Sequence, residues 1–308
     1  MALVGVVDPS HKEQASDTMG RLPNWLTLDE ALELSEDPKW APWTQVLIRA
    51  MFAEHQERDY ISTSMLVSHC PRAEVLKRKL DYVDDLSNMY VPFRGTMVHR
   101  TMELYAGPDD IAEHRFFMTI DGVEVSCSPD TLSRHSLWDY KVTDNPPMYY
   151  PWKNHTEQVQ VNAYIVRHAE RVEHRDVVVP WADLPFDPRE NPVTRVGLVY
   201  MSPKQPKVLV VEHTEDTFNE TTGKFKRGKV PFVWSDRQVE KLIKPRLEAL
   251  VTALNSPYAD DDLLFPLGTE DLWGGDASWR CPGQPLCKLP NCLAKRYPGR
   301  LIWERDAE

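Results

Sequence analysis

The short apolar run at residues 137–142 constrains the fold more than any other part of the chain. Its branched and aromatic residues are typical of a buried β-strand, yet it carries a carboxylate at Asp139 and an ammonium at Lys141. Side chains alternate between the two faces of a strand, so these two charged groups share one face and Tyr140 points to the other. The run therefore predicts a strand that presents an acid and a lysine side by side.

A second acid, Asp130, precedes this strand in the sequence. If residues 134–136 form the turn of a hairpin, Asp130 returns to the same sheet edge as Asp139 and Lys141. Two carboxylates and a lysine at one edge can hold a divalent cation with a positive charge beside it, and this arrangement suits phosphodiester hydrolysis. An Asp-x-Lys pair on a strand is more often a surface ion pair, so the chemical interpretation depends on the rest of the chain.

The composition predicts a globular protein without a membrane-spanning segment. The 308 residues are 42% hydrophobic and include ten tryptophans, which is enough for a packed interior. No stretch approaches about eighteen uninterrupted apolar residues, and residues 1–8 lack the basic region of a signal peptide. We therefore expect a cytoplasmic protein with no membrane contact.

The net charge of −11 argues mildly against a nucleic-acid partner, because phosphate binding usually requires a basic surface. An enzyme can nevertheless carry a basic groove on an acidic body. Four cations lie close together in the sequence and form either a solvated loop or a contact with DNA phosphates. They are Lys224, Lys226, Arg227 and Lys229.

The hydrophobic patterns divide the chain into three regions. Residues 1–60 carry a capping box at 27–30 and a second helical stripe, which predicts a helical accessory region. Residues 61–255 alternate helical and strand patterns, which predicts an α/β core. Residues 256–308 are rich in glycine, proline and tryptophan and predict an irregular, cysteine-containing region. The predicted elements of the core are a helix that opens at Gly95, strands over 114–120, 123–128, 136–142, 195–201 and 207–213, and helices over 155–169 and 236–254.

Five motifs occur in order between residues 62 and 164. They are a serine-rich segment at 62–64 with a Cys-Pro-Arg turn at 70–72, Gly95-x-x-x-His99, Pro129-Asp130, Asp139-Tyr140-Lys141 and Gln160-x-x-x-Tyr164. This order resembles the PD-(D/E)xK nuclease superfamily, and in particular its RecB-like exonuclease branch, which includes CRISPR-associated iron–sulfur nucleases and their phage relatives. The resemblance implies a restriction-endonuclease-like core, in which a mixed β-sheet is flanked by helices.

The resemblance also implies a Mg²⁺- or Mn²⁺-dependent deoxyribonuclease, with exonuclease activity expected, in a bacterial or phage-infected cell. The metal ligands would be His99, Asp130, Asp139 and the backbone carbonyl of Tyr140. Lys141 would orient the attacking water and stabilise charge on the phosphorus. Gln160 and Tyr164 would position the lysine, the water or the DNA backbone, and Glu113 is only loosely assigned to the site. Other recombination or DNA-processing proteins are expected as partners.

Three of the five cysteines, Cys281, Cys287 and Cys292, lie close together near the end of the chain. In an intracellular chain such crowding indicates a metal site rather than disulfides. The resemblance implies that these three residues and Cys70 bind one [4Fe–4S] cluster, although the family's late cysteines usually begin with a Cys-x2-Cys pair. Zinc is the alternative, because four cysteines also suit a tetrahedral site. Cys127 belongs to a predicted strand and is expected to be a buried small residue.

Two other functions remain open at this stage. A catalytically silent DNA-binding or assembly subunit could keep the same fold and the same acids without hydrolysing DNA. A zinc-stapled scaffold would make the cysteines the important residues and the acids incidental. DNA cleavage assays separate the first alternative from a nuclease, and the identity of the bound metal separates the second.

Overall fold

The chain folds as an α/β protein in which mixed sheets are flanked by helices. The computed structural model describes residues 3–7, 25–40, 42–53, 60–68, 74–75, 78, 82–84, 86–144, 146–147, 151–202, 207–212, 218–219, 224–225, 233–255 and 300–302. Among these residues, no helix is long and apolar enough to cross a membrane. The helices and strands, in chain order, are β1 (Leu3–Val7), β2 (Trp25–Leu26), α1 (Leu28–Leu34), α2 (Gln45–Ala53), β3 (Ile61–Ser62), α3 (Thr63–Leu66), β4 (Tyr82–Asp84), α4 (Leu86–Leu104), β5 (Ile111–Ala112), β6 (Arg115–Ile120), β7 (Val123–Cys127), β8 (Thr131–Ser133), β9 (Ser136–Val142), α5 (Lys153–Arg167), β10 (Arg171–His174), β11 (Val177–Val178), β12 (Arg195–Met201), β13 (Lys207–Glu212), β14 (Phe218–Asn219), β15 (Lys224–Phe225), α6 (Asp236–Asn255) and β16 (Arg300–Ile302).

Two compact units make up the chain. The first comprises residues 1–59, 68–94 and 246–308, and the second comprises residues 60–67 and 95–245. The first boundary between the two units, after residue 59, lies next to the boundary that the sequence predicts at residue 60. The sequence pattern does not reveal that residues 68–94 belong with the first unit, because that assignment depends on contacts between distant segments.

The first unit contains a four-stranded sheet with the strand order β16-β4-β1-β2. The predicted capping box at the start of α1 is confirmed, because the Thr27 hydroxyl accepts from the Glu30 N–H while the Glu30 carboxylate accepts from the Thr27 N–H. The predicted helical region also supplies β1 and β2. Strand β1 is a continuous apolar run, whose periodicity does not separate strand from helix, and β2 has only two residues. The buried core of this unit consists of Val6, Ala31, Trp40, Ile48, Met51, Leu86 and Met89.

The second unit contains two five-stranded sheets, with the strand orders β11-β10-β6-β7-β3 and β13-β12-β9-β8-β5. Helix α5 contacts strands of both sheets, and its apolar side chains Val159, Val161 and Ile165 are fully buried. In the second sheet β9 and β12 run parallel. Their close packing requires a glycine at residue 197, because a Cβ there would clash with the ring of Trp138.

The predicted core strands and the two later helices are confirmed to within two residues of their ends. The turn between β6 and β7 uses Asp121 and Gly122 with φ of 50° and 81°, which is the left-handed region that the Asp-Gly pair favours. Helix α4 differs from the prediction, because it begins at Leu86 rather than at Gly95. Pro92 lies inside this helix, and a proline there normally indicates a helix boundary.

Candidate metal centre

The hairpin of β8 and β9 brings Asp130 to the strand that carries Asp139 and Lys141. Strand β8 pairs antiparallel with β9, and Asp130 directly precedes β8. The backbone N–H of Tyr140 donates a hydrogen bond to Oδ2 of Asp130. Asp130 is 4% exposed and Asp139 is 1% exposed, so both acids lie inside the protein.

The imidazole of His99, on α4, lies between the backbone of β9 and two carboxylates. Its Nε2 lies 2.9 Å from the carbonyl oxygen of Tyr140. A carbonyl oxygen only accepts, so Nε2 carries a proton and donates it. The other nitrogen, Nδ1, lies 3.3 Å from Oδ1 of Asp130 and 3.8 Å from Oε1 of Glu113. The Nδ1 atom therefore faces the acidic groups.

Glu113 reaches this cluster from an unusual backbone position between β5 and β6. Its φ of 54° lies in the left-handed region, which non-glycine residues seldom adopt and which is frequent at functional sites. Its N–H donates to the carbonyl of Asp130 at 3.3 Å. Its Oε1 is buried and has no hydrogen-bond partner within the described part of the chain. A buried carboxylate oxygen without a donor is costly unless a cation or a proton neutralises it.

The donor groups of His99, Glu113 and Asp130 fit a divalent metal ion. One ligand atom from each residue lies within 4.8 Å of the other two. Carboxylate oxygens are the ligands that Mg²⁺ and Mn²⁺ prefer, and an imidazole nitrogen suits Mn²⁺ better than Mg²⁺. Both the chemistry of the donors and the unpartnered oxygen of Glu113 therefore favour a cation bound at this position.

The electrostatics of the cluster also favour a cation. Burial, and then the charge of Asp130, raises the pKa of Glu113 to about 7. Burial, and then the charge of Asp139, raises the pKa of Asp130. In both groups desolvation penalises the charged form, and a neighbouring acid adds to the penalty. A bound cation would stabilise the ionised carboxylates and remove both penalties.

The ammonium of Lys141 is held by two side chains. Its Nζ donates to Oδ1 of Asp139 at 3.1 Å and lies 2.8 Å from Oδ2 of the same residue. It also donates to Oε1 of Gln158, on α5, at 2.9 Å. The side chain of Lys141 is 19% exposed and that of Asp139 is 2% exposed, so solvent screens this ion pair poorly. Because two partners fix one ammonium group, its direction is well defined.

Gln160 and Tyr164, which are expected to position the lysine, the water or the DNA backbone, both contact the segment at the start of α6. Oε1 of Gln160 accepts from the backbone N–H of Trp234 at 2.8 Å, and the hydroxyl of Tyr164 donates to Glu240 at 3.2 Å. Both residues therefore join α5 to the start of α6. Gln158 accepts a hydrogen bond from the ammonium group of Lys141. Residues two apart point in nearly opposite directions around a helix, so Gln158 and Gln160 serve different surfaces.

Two of the predicted metal ligands have partners within the protein. The backbone carbonyl of Tyr140 accepts a hydrogen bond from His99, and Asp139 contacts the lysine. Glu113, which the sequence assigns only loosely to the site, completes the group formed by His99 and Asp130. The only sequence signal for Glu113 is its position just before a predicted strand. No pattern distinguishes Gln158 from the other polar residues of its helix.

Most of the other predicted site residues lie outside the described residues. They are the predicted iron–sulfur ligands Cys70, Cys281, Cys287 and Cys292, and the basic residues Lys226, Arg227 and Lys229. Lys224 lies in β15, of which the structure describes the backbone alone. Cys127 is buried in β7, as expected, and burial raises the pKa of its thiol.

Comparisons with known proteins give a structural likeness but no family. No protein-family model matches the chain, and no curated protein matches it. Among solved structures, one described as "Crystal structure of SSO0001" aligns with a TM-score of 0.39 at 15% sequence identity, over 69% of this chain and 86% of that chain. A likeness at this level carries no argument about activity.

Proposed function

We propose that this chain is a divalent-metal-dependent deoxyribonuclease with a PD-(D/E)xK-type core. The observation that carries the proposal is that two groups of polar side chains lie next to each other. A cluster of two acids and an imidazole lies beside a lysine whose ammonium is fixed by two partners. Both components suit the hydrolysis of a phosphodiester, because a metal site and a separate cation together balance the charge that develops on phosphorus.

Glu113, Asp130 and the Nδ1 atom of His99 would hold the ion, and Asp139 would add negative charge beside it. Mg²⁺ and Mn²⁺ are the ions that this donor set favours. When bound, such an ion polarises the scissile phosphate and lowers the pKa of a coordinated water. The hydrogen bond from His99 Nε2 to the carbonyl of Tyr140 turns Nδ1 toward the carboxylates.

Lys141 would stabilise the charge on the phosphate oxygens in the transition state. Asp139 and Gln158 limit the movement of the ammonium group, since both contact Nζ within 3.1 Å. An ammonium that is already oriented before the reaction costs no reorganisation during it. Asp139 therefore acts in this proposal as a partner of the lysine as well as a charge beside the ion.

Cleavage of end-labelled single-stranded and double-stranded DNA in Mg²⁺ or Mn²⁺ tests the proposal. Lys141→Ala and Asp130→Ala should each lower the cleavage rate by about 100-fold or more, the usual effect of losing a transition-state charge or a metal ligand. Lys244→Ala is a matched control, because this lysine forms a helical ion pair with Glu240 at 3.2 Å. Full activity of Asp130→Ala would refute the assigned site. Release of labelled mononucleotides would indicate the expected exonuclease activity.

The same assay distinguishes the alternative of a silent DNA-binding subunit. Such a subunit would bind Mn²⁺ and DNA and leave every labelled substrate intact.

The [4Fe–4S] cluster remains a prediction for Cys70, Cys281, Cys287 and Cys292. Anaerobic purification should give a brown protein with about four iron atoms per chain. Stoichiometric zinc without iron would refute the cluster and retain a four-cysteine site.

A further inference from the structure

Three aromatic side chains form a cluster at the start of α5, which we call the aromatic platform: Trp152, His155 and Tyr200. The ring of Trp152 lies 5.1 Å from that of His155 and 5.7 Å from that of Tyr200, measured between centroids. The rings of His155 and Tyr200 are stacked, with 5.6 Å between centroids and 26° between their planes. These distances are typical of packed aromatic pairs.

Polar contacts fix the platform from its buried side. The backbone N–H of Trp152 donates to the hydroxyl of Tyr200 at 3.3 Å, and Nδ1 of His155 lies 3.0 Å from the same oxygen. Tyr200 is fully buried, whereas 42% of the surface of Trp152 is exposed. The platform therefore presents one held indole ring to solvent, next to the half-buried ring of His155 and the buried ring of Tyr200.

The platform lies next to the lysine of the candidate site. Tyr200 on β12 pairs with Lys141 on β9, and paired residues of neighbouring strands share a face about 4.8 Å apart. On α5, Gln158 follows His155 by three residues, which places both on the same side of the helix. His155 contacts Tyr200, and Gln158 contacts Lys141. One face of α5 therefore contacts both Tyr200 and Lys141.

We propose that the aromatic platform stacks an unpaired base of the DNA strand whose scissile phosphate lies at Lys141. The proposal rests on the proposed nuclease function and specifies its substrate as a single strand. A base inside a duplex already has stacked neighbours on both faces, so a ring beside the scissile phosphate can be used only by an unpaired base. Stacking is sequence-tolerant because every base has a π face, and the exposed side chain of Lys153 adds a cation one residue after Trp152.

Binding, rather than cleavage, tests the platform. The full-length Lys141→Ala protein is titrated in Ca²⁺ with a fluorescent single-stranded oligonucleotide, and affinity is measured by anisotropy. A matched set of oligonucleotides carries one abasic nucleotide at successive positions. We expect an abasic nucleotide at one or two adjacent positions to weaken binding about tenfold, within the range known for a stacked base. The other positions should bind as the intact strand does.

Trp152→Ala in the same background should weaken binding of the intact strand by the same factor and abolish the effect of the abasic position. Trp152→Phe should retain most of the affinity and the position dependence, because it keeps an aromatic face and the local packing. Trp181→Ala is the control, since that ring is covered by the guanidinium of Arg189 at 3.8 Å. Thermal unfolding of each variant verifies that the protein remains folded.

Unchanged affinity in Trp152→Ala would overturn the platform, as would an abasic effect that is equal at all positions or absent. The cleavage assay gives an independent result for the nuclease. A wild-type chain that cleaves DNA without any abasic effect keeps the nuclease proposal and loses the platform. A chain that cleaves nothing but shows the single-position effect keeps the base-stacking platform and loses the nuclease proposal.

Discussion

The free energy of unfolding of the metal-free protein should fall as the pH rises from about 4.5 to about 7, and Glu113 should be a principal cause. Its pKa is raised from 4.5 to about 7 by burial and by Asp130, so in this range the folded state holds a proton that the unfolded chain releases. Its stabilising contribution is fully present below pH 4.5 and is lost as the pH rises through 7. At about 1.4 kcal/mol for each pKa unit, this one group changes the free energy of unfolding by about 3 kcal/mol.

Urea unfolding in EDTA between pH 5 and pH 8, followed by circular dichroism, measures this effect. Glu113→Gln cannot ionise, so its stability should depend less on pH than that of the wild type. Saturating Mn²⁺ should flatten the wild-type profile, because the ion replaces the proton on the carboxylate. Glu124→Gln is the matched control, since Glu124 is an exposed acid paired with Arg171 at 2.7 Å. Equal pH dependence of the wild type and Glu113→Gln in EDTA would refute the electrostatic argument.

Three further predictions concern packing, lysine position and metal choice. Gly197→Ala should destabilise the protein by about 1–3 kcal/mol in urea unfolding, because its Cβ would meet the ring of Trp138, whereas Gly95→Ala has nothing within 4 Å and should not. Gln158→Ala should lower the cleavage rate about tenfold and leave Mn²⁺ affinity by calorimetry unchanged; a loss of metal affinity would contradict its role as a partner of the lysine. His99→Ala should lower activity more in Mn²⁺ than in Mg²⁺, and an equal loss with both ions would show that its imidazole is not a metal ligand.

Sequence patterns predict these strands and turns well, because each one is determined by residues that are adjacent in the chain. The alternation at residues 136–142 and the Asp121-Gly122 turn each depend on a few adjacent residues, and the structure follows both. Asp130 reaches β9 for the same reason, since a two-residue turn connects β8 to β9. Short-range sequence signals are therefore sufficient to predict that Asp130 lies beside the strand that carries Lys141.

Contacts between distant segments explain what the sequence does not predict. Gln158 and Gln160 have the same chemistry, and only the packing of α5 decides that the first contacts Lys141 and the second contacts Trp234. Glu113 joins His99 and Asp130 at the candidate metal centre through the pairing of β5 with β8, two strands of two and three residues. Strands this short leave no periodic pattern.

Both main-chain polar groups of Tyr140 are held by the candidate metal ligands: its N–H by Asp130 and its carbonyl by His99. The peptide backbone at this residue thus sets the spacing between an acid and an imidazole, and the tyrosine ring takes no part in those two bonds. Alanine scanning removes side chains alone, so it would pass over this position without detecting its importance. This position requires a strand residue that has a backbone N–H, and every amino acid except proline meets that requirement.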